Sequence, residues 1–459
     1  MKTDTIAAIA TAMAGSGIGI VRISGEEAVS ITDQIFHMPG GKKLSDMETH
    51  TIHYGHIRDG EEVIDEVMVL LMRGPRSYTR EDTVEIDCHG GVYVMKRILE
   101  TVIKYGARPA EPGEFTKRAF LNGSIDLSQA ESVIDVISAK NEFALKSSMK
   151  QLSGAVSDAV KEIRGEILHE IAFIESALDD PEHISLDGYG ERLELTIEGA
   201  VDRIEKLLAS SDNGRILKEG ISTVIVGKPN AGKSSLLNTL LGEERAIVTE
   251  IAGTTRDVLE EQINLNGIIL NIIDTAGIRD TDDIVEKIGV DKARKYVKDA
   301  DLILYVVDAS TNLDENDGEI MELLHGRRTI VLLNKSDLTP LTTAEDIRVH
   351  VDKDCPVISI SAREQKGIDV FTEQIRKMFF RGEVTFNDEV YITNIRHKTA
   401  LQEALSSLHL VEQSIADGMP EDFYSIDLMN AYEVLGTIIG EAVEDDLVNE
   451  IFSKFCLGK

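Results

Sequence analysis

At 459 residues, 42% hydrophobic and 28% charged, the chain has room for several separately cored domains and the balance of a globular protein. A net charge of −33 argues against a surface that holds nucleic acid unaided, because phosphate contacts need a basic face. Three widely spaced cysteines, Cys88, Cys355 and Cys456, form neither a disulfide framework nor a zinc pattern.

No apolar run reaches about 18 residues, the length of a membrane-spanning helix. The opening twenty residues are apolar, but Lys2 is offset by Asp4 and the pattern continues as a strand through Val21 and Ile23. A secretory leader has a basic start and an unbroken apolar stretch. The cytoplasm is therefore the expected location.

In chain order, DTIAAIATA and GIGIVRIS read as strands, EEAVSITDQIF as a helix, and EVMVLLM and DTVEIDCH as strands. GVYVMKRILETVIKYG then reads as a helix, so residues 1–118 are expected to form an α+β domain. From 119 to 214 the apolar spacing turns helical. There Ser128 with Glu131 reads as a capping box, EIRGEILHEIAFIESAL as an amphipathic helix and DDPEHISLDGYGE as a loop. A βα alternation over 215–382 is followed by renewed helical periodicity over 383–459. The simplest architecture is a discontinuous helical domain with an α/β domain inserted between its halves.

Residues 227–234, GKPNAGKS, fit the phosphate-loop pattern, with an apolar strand before them and a helix after. Glycines at that spacing let backbone N–H groups turn toward a phosphate, and the helix adds the positive end of its dipole. Lys233 is expected to bridge the β- and γ-phosphates, and Ser234 to ligate Mg²⁺. Asn230, Ala231, Gly232 and Ser235 complete the loop.

Further elements follow in order. Thr255, in IAGTTRD, is a second candidate Mg²⁺ ligand. QINLNGIILNIIDTAG reads as a hairpin turning at Asn266 and Gly267 and ending in Asp274, Thr275, Ala276 and Gly277. Asn334, Lys335 and Asp337 close the next strand; a carboxylate there accepts two hydrogen bonds from guanine that adenine cannot offer. Ser361, Ala362 and Arg363 stand where a backbone N–H can meet guanine O6. Each element is weak alone; together, in this order, they specify a Ras-like guanine-nucleotide domain that hydrolyses GTP. The water-orienting Gln of Ras is replaced by Ile278, so another group must supply that role. Asp280, Asp282, Asp283 and Glu286 lie close by, the three Asp reading best as a solvated acidic loop. No arginine finger is evident, although Arg256 stays open.

Three further stretches extend the pattern: DTIAAIATAMAGSGIGIVRISG at the start, EPGEFTKRAFLNGSIDLSQAE at 111–131, and the terminal FCLGK. With GKPNAGKSSLLN and IVTEIAGTTRD, they resemble the tRNA-modification GTPase family MnmE/TrmE of the TrmE-Era-EngA-like group, over essentially the whole chain. The resemblance implies an N-terminal α+β folate-binding and dimerisation domain, a discontinuous α-helical domain and an inserted G domain. It implies K⁺ held by Asn230, Thr249, Ile251 and Thr254, with Thr249 and Thr254 beside the nucleotide, and Glu286 orienting water. For 5,10-methylene- or 5-formyl-tetrahydrofolate it points to Arg22, Glu85 and Lys459. Ser124 stands where the family carries a cation, which Lys117 or Arg118 would have to replace.

Cys456 is either a catalytic thiol or part of a docked tail. The implied partners are a second copy, the flavoprotein MnmG (GidA) in a heterotetramer or larger complex, and tRNA. FAD would be bound by MnmG, since no dinucleotide fingerprint occurs in this chain. The implied reaction adds a carboxymethylaminomethyl-type group to C5 of the wobble uridine. Two rivals remain: a ribosome-assembly switch of the Era or Der type, and a free-standing folate aminomethyltransferase with a regulatory G domain.

Overall fold

The computed structural model describes residues 4–243, 261–273, 300–380, 392–441, 443, 445–455 and 458. The chain divides into two compact units: Met1–Ile137, Ser148–Ile204 and Thr399–Lys459 form the first, and Ser138–Ser147 with Glu205–Lys398 form the second. The second unit is thus an insertion in the sequence of the first.

Among the described residues, the first unit carries a seven-stranded sheet. Its strands are β1 (Ile6–Ile9), β2 (Ile18–Ser24), β3 (Phe36–His37), β4 (Thr51–Asp59), β5 (Glu62–Met72), β6 (Thr83–His89) and β7 (Arg108–Pro109), in the order β3-β4-β5-β6-β2-β1-β7. Alternation sorts the side chains. Val21, Ile23, Val69, Leu71, Val84 and Ile86 pack with α1 (Ala28–Ile35) and α2 (Val92–Lys104) through Ile31, Ile35, Met95 and Ile98. The intervening positions, Arg22 and Glu85 among them, therefore belong to the opposite face, and those two are register partners across β2 and β6.

Beyond α3 (Glu114–Leu121) the chain is helical as far as residue 219: α4 (Leu127–Ser138), α5 (Glu142–Leu152), α6 (Ala155–Asp179) and α7 (Tyr189–Glu219), with Ser138–Ser147 and α7 from Glu205 onward belonging to the second unit. The start of α4 corrects the expected capping box. Asp126, not Ser128, caps it: Asp126 Oδ1 accepts from the Gln129 N–H at 3.0 Å, and Gln129 Oε1 accepts from the Asp126 N–H at 3.0 Å. Ser128 is instead buried inside the first turn and donates to Asp126 Oδ1 at 2.6 Å. Asp126 stands immediately before the first helical residue, where a side-chain oxygen reaches the open N–H groups, whereas Ser128 is already inside the helix.

Helix α6 buries Val160, Ile163, Ile167, Ile171 and Ile174 at three- and four-residue spacing, and packs on a helix from the far end of the chain, Glu421–Ile439. Arg164 crosses that interface. Its Nε donates to the Tyr432 carbonyl at 3.0 Å, its guanidinium lies 4.0 Å from the Tyr432 ring centroid, and it pairs with Glu441 at 2.7 Å.

The second unit has a six-stranded sheet among the described residues: β8 (Ile221–Val226), β9 (Glu261–Leu265), β10 (Ile268–Ile272), β11 (Leu302–Asp308), β12 (Thr329–Asn334) and β13 (Val357–Ser359). The order is β13-β12-β11-β8-β10-β9, parallel except for the β9–β10 hairpin. That hairpin turns where expected, with φ +50° at Asn266 and +90° at Gly267. Helices α8 (Lys233–Glu243), α9 (Glu315–Leu324), α10 (Ala344–Arg348) and α11 (Ile368–Phe380) accompany the sheet, whose two faces are covered by separate apolar clusters. Near-continuous apolar strands such as β8 and β12 need that double cover. Helices α12 (Ile395–Ala416), α13 (Glu421–Ile439) and α14 (Asp445–Ser453) complete the chain.

Candidate nucleotide and tail sites

β8 lies between β10 and β11, so the chain adds β9 and β10 on one side of it and β11, β12 and β13 on the other. In α/β sheets such a switch point opens a crevice beyond the strand ends. The loop 227–232 lies there and leads into α8, whose first-turn N–H groups have no partner within the helix. Asn230 has φ +64° and Gly232 has φ +98°.

Lys233 turns back onto the loop: its Nζ donates to the carbonyls of Gly227 and Lys228, both at 2.7 Å. Burial lowers its pKa. Among the described residues it has no carboxylate partner. A buried ammonium resting on neutral carbonyls at a helix N-terminus suits an arriving polyphosphate, for which it can exchange those bonds.

Three loops are joined by one amide. Asn334, buried at the end of β12, donates from Nδ2 to the Ala231 carbonyl and accepts at Oδ1 from the Ala362 N–H, both at 3.0 Å. The phosphate loop is thereby tied to the segment holding Ser361, Ala362 and Arg363. It also means that the Ala362 N–H is already engaged by protein. Asp337 Oδ1 accepts from the Ser361 hydroxyl at 2.7 Å, and this bond holds the Asp337 carboxyl below its usual range. Lys335, at φ +63°, pairs through Nζ with Asp308 at 2.6 Å. Asp308 escaped the sequence reading; its only signal is its place at the C-terminal end of a central strand.

The expected residues Ser234 and Ser235 open α8 beside this loop. Thr249, Ile251, Thr254, Thr255, Asp274, Thr275, Ala276, Gly277 and Glu286 lie outside the described residues, as do Cys456 and Lys459.

In the first unit, Arg22 Nε donates to Glu85 Oε1 at 2.7 Å, with each side chain 17% exposed. The Arg22 guanidinium lies 5.6 Å from the Phe115 ring centroid, and its Nη1 donates to the Gly458 carbonyl at 3.2 Å. The chain end reaches this place because Phe452 and Phe455 pack with Leu127 and Ala130. Ser124 ends the turn after α3, its N–H donating to the Ala119 carbonyl.

Both cations named for the family's charge there are engaged by protein groups. Lys117 bonds Asn449 Oδ1 at 2.5 Å, and Arg118 pairs with Glu81, Asp4 and Glu114 at 3.0–3.1 Å. The cation at this turn is Arg80, which donates to the Asn122 carbonyl at 3.2 Å.

The family model described as the MnmE helical domain matches residues 127–456, more than half of the chain. That of the GTP-binding protein TrmE N-terminus matches residues 5–124. The chain belongs to the MnmE/TrmE family. Relatives bearing the name tRNA modification GTPase MnmE are similar over full length. The protein of Lachnoclostridium phytofermentans is 61% identical, covering 100% of each chain. That of Clostridioides difficile is 50% identical, covering 99% of each. That of Bacillus subtilis is 47% identical, covering 99% of this chain and 100% of its own. Among solved structures, the G domain of the T. maritima FeoB iron transporter covers 35% of this chain at 21% identity, with a TM-score of 0.25, too low to bear on the argument.

The family carries the fold class with it: an N-terminal α+β domain, helices from two chain segments and a P-loop GTPase domain between them. Among the described residues no helix is long and apolar enough to cross a membrane.

Proposed function

We propose that this protein is a GTP hydrolase acting in tRNA modification. The observation that carries the reading is Lys233 parked on the Gly227 and Lys228 carbonyls while Asn334 ties that loop to Ala362. The nucleotide would lie along Asn230–Ser235, with Lys233 exchanging its carbonyl partners for phosphate oxygens. Asp337, oriented by Ser361, reads the guanine N1–H and amino group, and Lys335 is steadied by Asp308. Ser234 and Thr255 would hold Mg²⁺, and Asn230, Thr249, Ile251 and Thr254 would hold K⁺; the two cations neutralise charge that gathers at the β–γ bridge during transfer. Asp274 to Gly277 complete the phosphate side, and Glu286 orients the attacking water.

The domain partition proposed is 1–118, 119–214, 215–382 and 383–459. In the first of these, Arg22 and Glu85 suit a folate: a guanidinium for its carboxylate or carbonyl oxygens, and a carboxylate for its ring N–H groups. Binding there requires the two to loosen their mutual bond. The Gly458 carbonyl on Arg22 supports the tail, with Cys456 and Lys459, as a cover for that pocket. Arg80 is the better candidate for the charge absent at Ser124. The protein would work as a homodimer in the cytoplasm with the FAD-bearing flavoprotein MnmG, adding a carboxymethylaminomethyl-type group at C5 of the wobble uridine. GTP hydrolysis would drive G-domain association and rearrangement. The folate unit would supply a carbon.

The test is mass spectrometry of tRNA nucleosides from cells lacking the gene, with and without this chain restored, alongside GTP turnover by the purified protein. Loss and recovery of a C5-modified wobble uridine supports the reading. An unchanged nucleoside profile would leave a GTPase with another task.

A further inference from the structure

One variable position of the phosphate loop is tethered by its own side chain. Lys228 Nζ lies 2.6 Å from Asp317 Oδ2 and 3.0 Å from Asp314 Oδ2. Asp317 is 1% exposed, and its two oxygens are engaged elsewhere as well. Oδ1 accepts from the Tyr305 hydroxyl at 2.8 Å, and Oδ2 accepts from the Asp314 N–H at 3.0 Å in the capping box that opens α9. Burial disfavours the Lys228 ammonium, yet Asp317 and Asp314 outweigh it and its pKa is raised. Burial, and then Asp317, push the Tyr305 phenol far up, so that it stays a donor. Stripping the cation from a carboxylate this buried would leave its charge uncompensated, which keeps Lys228 in place.

The same residue faces the candidate nucleotide site with its main chain. Its carbonyl accepts from Lys233 Nζ at 2.7 Å and from the Ala231 N–H at 3.3 Å. Lys233 spends two of its three N–H donors on loop carbonyls, so a phosphate that draws the ammonium toward itself strains or releases bonds that shape the loop.

We infer that Lys228 is a positioning residue for phosphate binding, its bond to Asp317 holding the loop backbone in a phosphate-accepting curve while Lys233 changes partners. This rests on the guanine-nucleotide reading above. A loop held in shape before binding loses less freedom when the ligand arrives, so the tether acts on the phosphate end of the ligand and leaves the base untouched.

The test compares GDP affinity with guanosine affinity, the latter by competition against labelled GDP, in the full chain. Lys228→Met is expected to weaken GDP about tenfold and to leave guanosine within about twofold. Lys228→Arg, whose guanidinium can still pair with the carboxylates, restores GDP to within about threefold. Unchanged GDP affinity in Lys228→Met, or equal losses for GDP and guanosine, overturns the inference. Should Lys228→Met fail to fold, Tyr305→Phe decides on the same two ligands, with an expected loss of about threefold for GDP alone. An unmodified chain that binds no GDP refutes the guanine-nucleotide reading itself, an outcome distinct from either of these.

Discussion

Gly232 and Asn334 approach so closely that a Cβ on Gly232 would lie 2.1 Å from Asn334 Nδ2. The contact joins the last turn of the phosphate loop to the end of β12, and the glycine also sits at φ +98°, where side chains are strained.

Gly232→Ala therefore forces either the loop or the Asn334 amide to move. A cost of about 2 kcal/mol or more is expected, read as GDP binding weakened at least about thirtyfold by calorimetry. Affinity within about twofold of the unmodified protein would mean that the loop adapts without cost.

Asp337 is expected to read the guanine edge while Ser361 holds its carboxyl below the usual range. A depressed carboxylate pKa means that its contribution is present above the ordinary carboxylate range and is lost as pH falls through the lowered value. Ser361→Ala should move the acid limb of GDP affinity to higher pH. Asp337→Asn should shift preference from guanine toward xanthine nucleotides, and unchanged selectivity would remove Asp337 from base recognition.

Potassium should support GTP turnover and sodium should not, at equal ionic strength, and Asn230→Ala should erase the difference. Equal rates in the two salts would rule out a cation site at Asn230.

Glu286→Ala should lower the hydrolysis rate by at least about a hundredfold, the lower end of what a positioned acid–base group contributes. GTP affinity should stay within about twofold in the same variant. Equal losses in rate and affinity would leave Glu286 a structural residue.

Arg164 is expected to contribute to stability through its bond to the Tyr432 carbonyl and its contact with the Tyr432 ring. Arg164→Met keeps much of the apolar stem but removes the charged donor from that carbonyl, which retains its bond within α13. A loss of about 1–3 kcal/mol follows, seen as a lower urea midpoint with GTP turnover retained in the folded protein. An unchanged midpoint would show that the pair with Glu441, whose side chain is 56% exposed, and the cation–ring contact add nothing measurable.

Features set by neighbours in sequence were legible from the sequence alone. The strand–GKPNAGKS–helix unit is local, because the glycines, the lysine and the new helix fall within a few residues of each other. The turn at Asn266 and Gly267 is local too, since only residues tolerant of positive φ stand there. GIGIVRIS and DTVEIDCH were likewise legible as strands from their local patterns, and they form β2 and β6. The cap of α4 was missed by two residues, because Asp126 and Ser128 are both good caps and pattern alone does not rank them.

What only the tertiary structure decided are pairings whose members lie far apart along the chain. Arg22 meets Glu85 because β2 and β6 are antiparallel neighbours in this register, and meets Gly458 because Phe452 and Phe455 pin the end of the chain. Lys228 meets Asp317 because β8 and β11 lie side by side and α9 begins just beyond β11. Arg118 pairs with Glu114, its i,i+4 neighbour on α3, but its bonds to Asp4 and Glu81 join groups that no local pattern links to it. Sequence determines local backbone preference and the kind of chemistry available. Which charges neutralise one another depends on distances of a few ångströms that exist only once the sheets have formed.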